Sequence, residues 1–326
     1  MPILSKVMRG DFIESIHVAY GATVDAEGEI VFSTGDPHYL TGVRSSLKPF
    51  QAAATVKSGA VDAADFSEDE LALMCASHNG EAIHVKTVQS MLDKLEYTTD
   101  QLKCGRHAPY DRESHESLIK NDGEMSPLHN NCSGKHAGML ALSKFLAVDP
   151  KDYIHKKHPV QRAIFAQVKE YTGLDQLSTA IDGCSAPTPF LTLALTAKLF
   201  QQLASGSYPE LDKLYRAMTA YPYLVAGKGR FDTDFISAMS GRAVCKVGGE
   251  AIRGFGIRNS DGTILGCAVK VLDGNMRALH PASMAFLNEM DLLTHEENKA
   301  LQQYREPILK NHRKIQVGKI STGIDI

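Results

Sequence analysis

The stretch VCKVGGEAIRGFGIRNSDGTILGCAVKVL, residues 244–272, decides the fold. It divides into three β-type runs, VCKV (244–247), AIRGFGIR (251–258) and TILGCAVKVL (263–272), parted by Gly248-Gly249 and by Asn259-Ser260-Asp261-Gly262. Runs of β-branched and apolar residues between glycine-rich breaks predict a three-stranded meander. Near the other end, SIHVAY (15–20) and EIVFST (29–34) flank the turn Asp25-Ala26-Glu27-Gly28 and predict a hairpin. Neither group has enough strands for a sheet of its own. Together they predict an α/β chain of the α+β type, with one mainly antiparallel sheet built from both termini and flanked by helices.

The helices lie between. Ser67 and Glu70 form a capping box ahead of LALMCA, Glu81 to Glu96 is amphipathic, and Pro159 opens a helix that Gly173 closes. Pro189 to Leu203 is almost wholly apolar and reads as a buried helix. Helical patterning resumes at Pro281 to Met290 and at Glu296 to Arg305, after which residues 311–326, NHRKIQVGKISTGIDI, read as a loosely attached tail. No repeat or flexible linker interrupts this pattern. The expectation is a single composite domain over 1–326, its sheet from about 10–40 and 240–275 with the terminal helices, its helical part about 60–220.

Composition removes several function classes. In 326 residues, 35 basic and 38 acidic side chains leave a net charge of -3, with no signature for nucleic acid or an anionic membrane. Lys6 and Arg9 interrupt the N-terminus, and no apolar run approaches about 18 residues, so the expectation is a soluble cytoplasmic protein. Cys75, Cys104, Cys132, Cys184, Cys245 and Cys267 are too scattered for a disulfide scaffold and read as reduced thiols.

In Arg44-Ser45-Ser46-Leu47-Lys48-Pro49, proline belongs in a first helical turn, so Pro49 fixes a helix start close to Ser45 or Ser46. Ser45 and Lys48 then lie one turn apart, where an amine deprotonated by its surroundings can take a proton from a hydroxyl. Alone the pattern means little, since Ser-x-x-Lys arises by chance about once in a chain this long. Two further triplets add weight: Ser77-His78-Asn79 after an apolar helix, and Lys246-Val247-Gly248 ending a strand. In this order the three motifs form the signature set of the serine β-lactamase and penicillin-binding group. The second serine would relay protons, and the strand lysine would supply positive potential.

The densest polar cluster is His129-Asn130-Asn131-Cys132-Ser133-Gly134-Lys135-His136. It is no phosphate loop, because His129 stands where glycine is needed and His136 where Ser or Thr is needed. A thiol with neighbouring nitrogen donors suits a zinc corner, to which Cys184 in Asp182-Gly183-Cys184 would add a second thiol. Ligand chemistry alone favours His136 as the nitrogen donor, since an ammonium must first lose its proton.

The segments RSSLKPFQA, MCASHNGE, LHNNCSGKHAGML, DGCSAPTPF, AGKGRFDTDF and KVGGEA, spread over residues 44–251, resemble the rhizobial-type L-asparaginase II family, zinc-containing and serine β-lactamase-like. The resemblance implies a serine β-lactamase/penicillin-binding-like fold, hydrolysis of L-asparagine to L-aspartate and ammonia, and a homodimer. It implies Ser45 as nucleophile, Lys48 as base, Ser77 as second serine and Lys246 as additional lysine. It also implies one zinc per chain held by Cys132, Lys135 and Cys184, with water completing the site; since a serine nucleophile already has its own base, the metal is expected to support substrate binding or hold loops. Arg44, Asn79, His136 and Asp182 fall in the same blocks and are the expected substrate contacts, with Arg230 and Glu250 as alternative charges. Lys228 and the KVGG sequence depart from the usual pattern, and Lys270 competes with Lys246. Competing functions are a glutaminase or other β-lactamase-like hydrolase, separated in substrate by as little as one methylene, and a catalytically silent zinc-stabilised amino-acid-binding protein.

Overall fold

The computed structural model describes residues 1–324. Two compact units share the chain: one holds Met1–Ser46, Leu191–Ser205 and the described residues from Ser237, the other Leu47–Phe190 and Gly206–Ile236.

The first unit is an antiparallel sheet of eight strands: β1 (Ile3–Arg9), β2 (Phe12–Val24), β3 (Ile30–Thr34), β4 (Ala243–Gly248), β5 (Ile252–Arg258), β6 (Ile264–Val271), β7 (Ile308–Lys310) and β8 (Gln316–Ile324). Their order is β7-β8-β1-β2-β6-β5-β4, with β3 paired to β2. The meander and the hairpin form as expected, the hairpin pairing Gly21–Val24 with Ile30–Thr34.

The tail is a correction. Gln316–Ile324 pairs with β1 from Arg9↔Gly318 to Ile3↔Ile324; residues 325–326, which end the segment read as a tail, lie outside the described residues. In β1 the fully buried Ile3, Ser5 and Val7 alternate with less buried residues, and in Gln316–Ile324 only Ile320 is fully buried, so neither has the continuous apolar run of the meander.

Register fixes the faces of the sheet. Lys246 opposes Gly254, which opposes Ala268, which opposes Ala22. On that face Ala22, Val24, Ile252 and Ala268 form a core cluster with Leu193 and Ala197 of the helix Leu193–Ser205. The opposite face carries the helix Met276–Glu289, where Arg253 donates to Ser283 Oγ at 3.3 Å.

The buried helix expected from Pro189 proves to be two elements, a strand Pro187–Thr192 followed by the helix Leu193–Ser205. Pro187 and Pro189 favour extended backbone, and the Thr192 hydroxyl accepts from the Leu195 N–H at 3.2 Å, so the helix starts there.

The second unit is helical around the helix Lys48–Lys57, whose residues 48–56 are all buried. As expected, the capping box at Ser67 opens the helix Glu68–Met74, and the left-handed Gly173 closes the helix Pro159–Thr172. The helix Ser133–Phe145 presents Gly134 to the helix Glu68–Met74, where a Cβ would lie 2.3 Å from the Leu73 carbonyl. This close approach brings residues 75–79 against the start of the Ser133 helix. Among the described residues, no helix is long and apolar enough to cross a membrane.

Candidate active site

In the second unit the site is built around Lys48. Pro49 sits in the first turn of the helix Lys48–Lys57, which follows the 3₁₀ turn Arg44–Leu47 directly. The Lys48 side chain is completely buried, and its Nζ donates to Ser77 Oγ at 3.0 Å, to Asn131 O at 3.0 Å and to Ala76 O. Burial lowers its pKa, helped by the Lys135 charge and opposed by Cys132 and Cys184. A lysine biased toward the neutral amine therefore touches the second serine of the signature. Sequence reading missed the two carbonyls that hold this amine, because peptide oxygens carry no sequence signal.

The loop after Ser77 is rigid. The Ser77 and Asn79 N–H groups donate to Val225 O and Ala226 O, each at 2.9 Å. His78 is completely buried; its Nδ1 accepts from the Gly80 N–H at 3.1 Å, so Nε2 carries the proton and donates to Ser133 Oγ at 2.9 Å. Ser133 passes the chain on to Leu128 O at 3.0 Å. Burial, then the charges of His84 and Lys48, keep the His78 imidazole neutral.

The first unit holds Arg44, Ser45 and Lys246. Ser46 is buried and its hydroxyl is committed to Val43 O at 2.6 Å, whereas Ser45 is only half-buried. Arg44, just before it, adopts a left-handed φ of 49°, the kind of backbone strain that clusters at functional sites. The end of β4 lies against this turn: a Cβ on Gly248 would meet Val43 O at 2.7 Å and Ser46 N at 3.2 Å. Lys246 is completely buried, its Nζ donating to Val247 O at 3.0 Å. Lys270 lies on the same face by register, opposite Ile252, and donates to Val271 O. Glu250 and Asp273 offset part of the burial that lowers the Lys270 pKa.

The cysteine cluster belongs to the second unit. Lys135 Nζ lies 2.9 Å from Cys184 Sγ, and Cys132 Sγ lies 3.2 Å from Asn131 Oδ1. A hydrogen bond from Cys132, then Lys135 and His136, hold Cys184 as a thiolate against burial, and the same bond pushes the Cys132 thiol up. His136 is completely buried. Its Nδ1 meets the Tyr153 hydroxyl at 2.6 Å, while Nε2 has no hydrogen-bond partner, although its ring interacts with Cys184. Asp182 is half-buried and accepts from the Gly183 N–H at 2.7 Å. All six cysteines are free and buried. Among the described residues, no three His, Cys, Asp and Glu side chains group as a metal site; the implied set differs in using the amine of Lys135.

Asn79 accepts from Arg230 at 2.8 Å through Oδ1, and its Nδ2 donates to Glu81 Oε1 and Lys228 O, both at 3.1 Å. Lys228 pairs with Glu113 at 3.2 Å.

No curated relative matches the chain. The family model described as L-asparaginase II matches residues 5–322, which include the whole stretch over which these motifs are spread. The chain therefore belongs to the L-asparaginase II family and is an L-asparaginase.

Proposed function

We propose that the reaction runs through an acyl-enzyme on Ser45, on a serine β-lactamase-like fold. The observation that carries this reading is the buried Lys48 amine, 3.0 Å from Ser77 Oγ and three residues beyond the half-buried Ser45. The Ser45 oxygen attacks the side-chain amide carbon of asparagine, and Lys48 accepts the hydroxyl proton. As the carbon–nitrogen bond breaks, that proton passes through Ser77 to the departing ammonia. Water then attacks the β-aspartyl ester, giving a proton to Lys48, which passes it to the Ser45 oxygen as the ester bond breaks and aspartate leaves. Lys246 contributes positive potential, which disfavours the protonated form of Lys48.

The donor set fits a zinc ion. Two adjacent buried thiols, the Lys135 amine beside Cys184 and the orphaned His136 Nε2 form a soft, nitrogen-bearing corner. Cys132, Lys135 and Cys184 would hold the metal. Bound there, zinc supplies positive charge and ties the loops together, supporting substrate binding. The family resemblance further supports a homodimer, and the scattered reduced thiols a cytoplasmic protein.

An ammonia assay on asparagine and glutamine, with wild type beside Ser45→Ala, tests the mechanism. Asparagine is the expected substrate and the variant inactive but folded; retained turnover in Ser45→Ala overturns the acyl-enzyme, and preferential release from glutamine overturns the substrate.

A further inference from the structure

We infer that Arg230 binds the α-carboxylate of asparagine and that Asn79 is the positioning residue that aims it, an assignment that rests on the amidase reading above. Asparagine presents one planar carboxylate beyond its reacting amide, and a guanidinium fork matches that shape better than an ammonium. Arg230 is half-buried, yet among the described residues no carboxylate lies within ion-pair distance of it. Its contacts are neutral: NH1 donates to Asn79 Oδ1 at 2.8 Å, and Cζ sits 6.0 Å from the centroid of the Tyr110 ring. A partly desolvated cation with no counter-charge is costly, and an anionic ligand removes that cost.

The nearby cation and acids are engaged elsewhere. Lys228 is exposed and paired with Glu113, while Glu81 accepts from Asn79 Nδ2, from the Lys228 N–H at 2.9 Å and from the Tyr223 hydroxyl. With both amide donors of Asn79 committed, its oxygen can only face Arg230, which fixes the amide orientation.

The placement also suits a short substrate. The N–H groups of Ser77 and Asn79 bond to the carbonyls of Val225 and Ala226, at the end of the helix Pro222–Ala226, which ties both residues to one short loop. The guanidinium held by Asn79 is thus anchored to the loop that carries Ser77, two residues along.

The test is Arg230→Gln, assayed for asparagine turnover and for competitive inhibition by L-aspartate and by β-alanine, the same product without its α-carboxylate. We expect KM for asparagine and the aspartate inhibition constant to rise about 10- to 100-fold, with kcat and the β-alanine constant unchanged. Arg230→Lys should recover part of the loss, and Asn79→Ala should shift the same two constants by less. Equal weakening of both inhibitors, or no change in KM, overturns the assignment of Arg230 while leaving the amidase reading intact. Wild-type protein that releases no ammonia from asparagine overturns that reading instead.

Discussion

Replacing Lys48 by methionine keeps an unbranched side chain as far as Cε, with sulfur in place of one methylene, and removes the amine. The structure sets the stability cost. The buried carbonyl oxygen of Ala76 and the part-buried one of Asn131 lose a donor, at about 1–1.5 kcal/mol each at most. The variant no longer buries an amine, which offsets part of this, so the net loss stays below about 3 kcal/mol. Against an ordinary stability of about 5–15 kcal/mol, that leaves more than about nine molecules in ten folded at 25 °C. Catalysis loses far more, because a positioned base contributes about 10²- to 10⁴-fold, or about 3–5 kcal/mol of barrier. Ammonia release from saturating asparagine, with a thermal melt of the same sample, separates the two effects. The expected result is a folded protein with kcat down at least about a hundredfold. A folded Lys48→Met protein with kcat within about threefold of wild type would refute the role of the amine.

The remaining predictions concern the metal and the sheet-bearing unit. Protein purified without chelator should carry one zinc per chain by elemental analysis, lost in Cys132→Ala and Cys184→Ala; metal-free wild type would count against the site. Chelation should lower the melting temperature, since an ion bound only by folded protein stabilises it. In the other unit, Glu297 is a buried carboxylate that accepts from Arg242 at 2.8 and 2.6 Å. Burial alone would raise its pKa, but Arg242 and the Thr294 bonds outweigh this and lower it. Its stabilisation is therefore complete above the ordinary glutamate range and is lost as pH falls through the depressed folded value. Glu297→Gln should melt below wild type at neutral pH, by about 1–2 kcal/mol, with the gap narrowing in acid; a gap that widens in acid would contradict this.

Local chemistry made some elements readable in the sequence and left others hidden. The meander was legible because its strands are buried on both faces and read as apolar runs between glycine breaks. Ile3–Arg9 and Gln316–Ile324 were not, because lysine and serine interleave with their buried positions and each finds its partner some 300 residues away. At the site, Ser-x-x-Lys pointed to a helix start because Pro49 constrains the backbone. The meeting of Lys48 with Ser77 depends on Gly134 letting two helices close together, a tertiary event with only a lone glycine to announce it. The bond from Arg230 to Asn79 spans 151 positions and has no local pattern.

The pairing of Ile3 with Ile324 also orders events during synthesis. Every residue of the helical unit has been translated before the strand Ala243–Gly248 begins, so on the ribosome that unit can finish first. Meanwhile β1 and β2 wait with open edges for about 15–60 seconds of elongation, until their last partner is made. Nascent chains stalled just short of Gln316 should be held by chaperones through those edges and released when translation resumes.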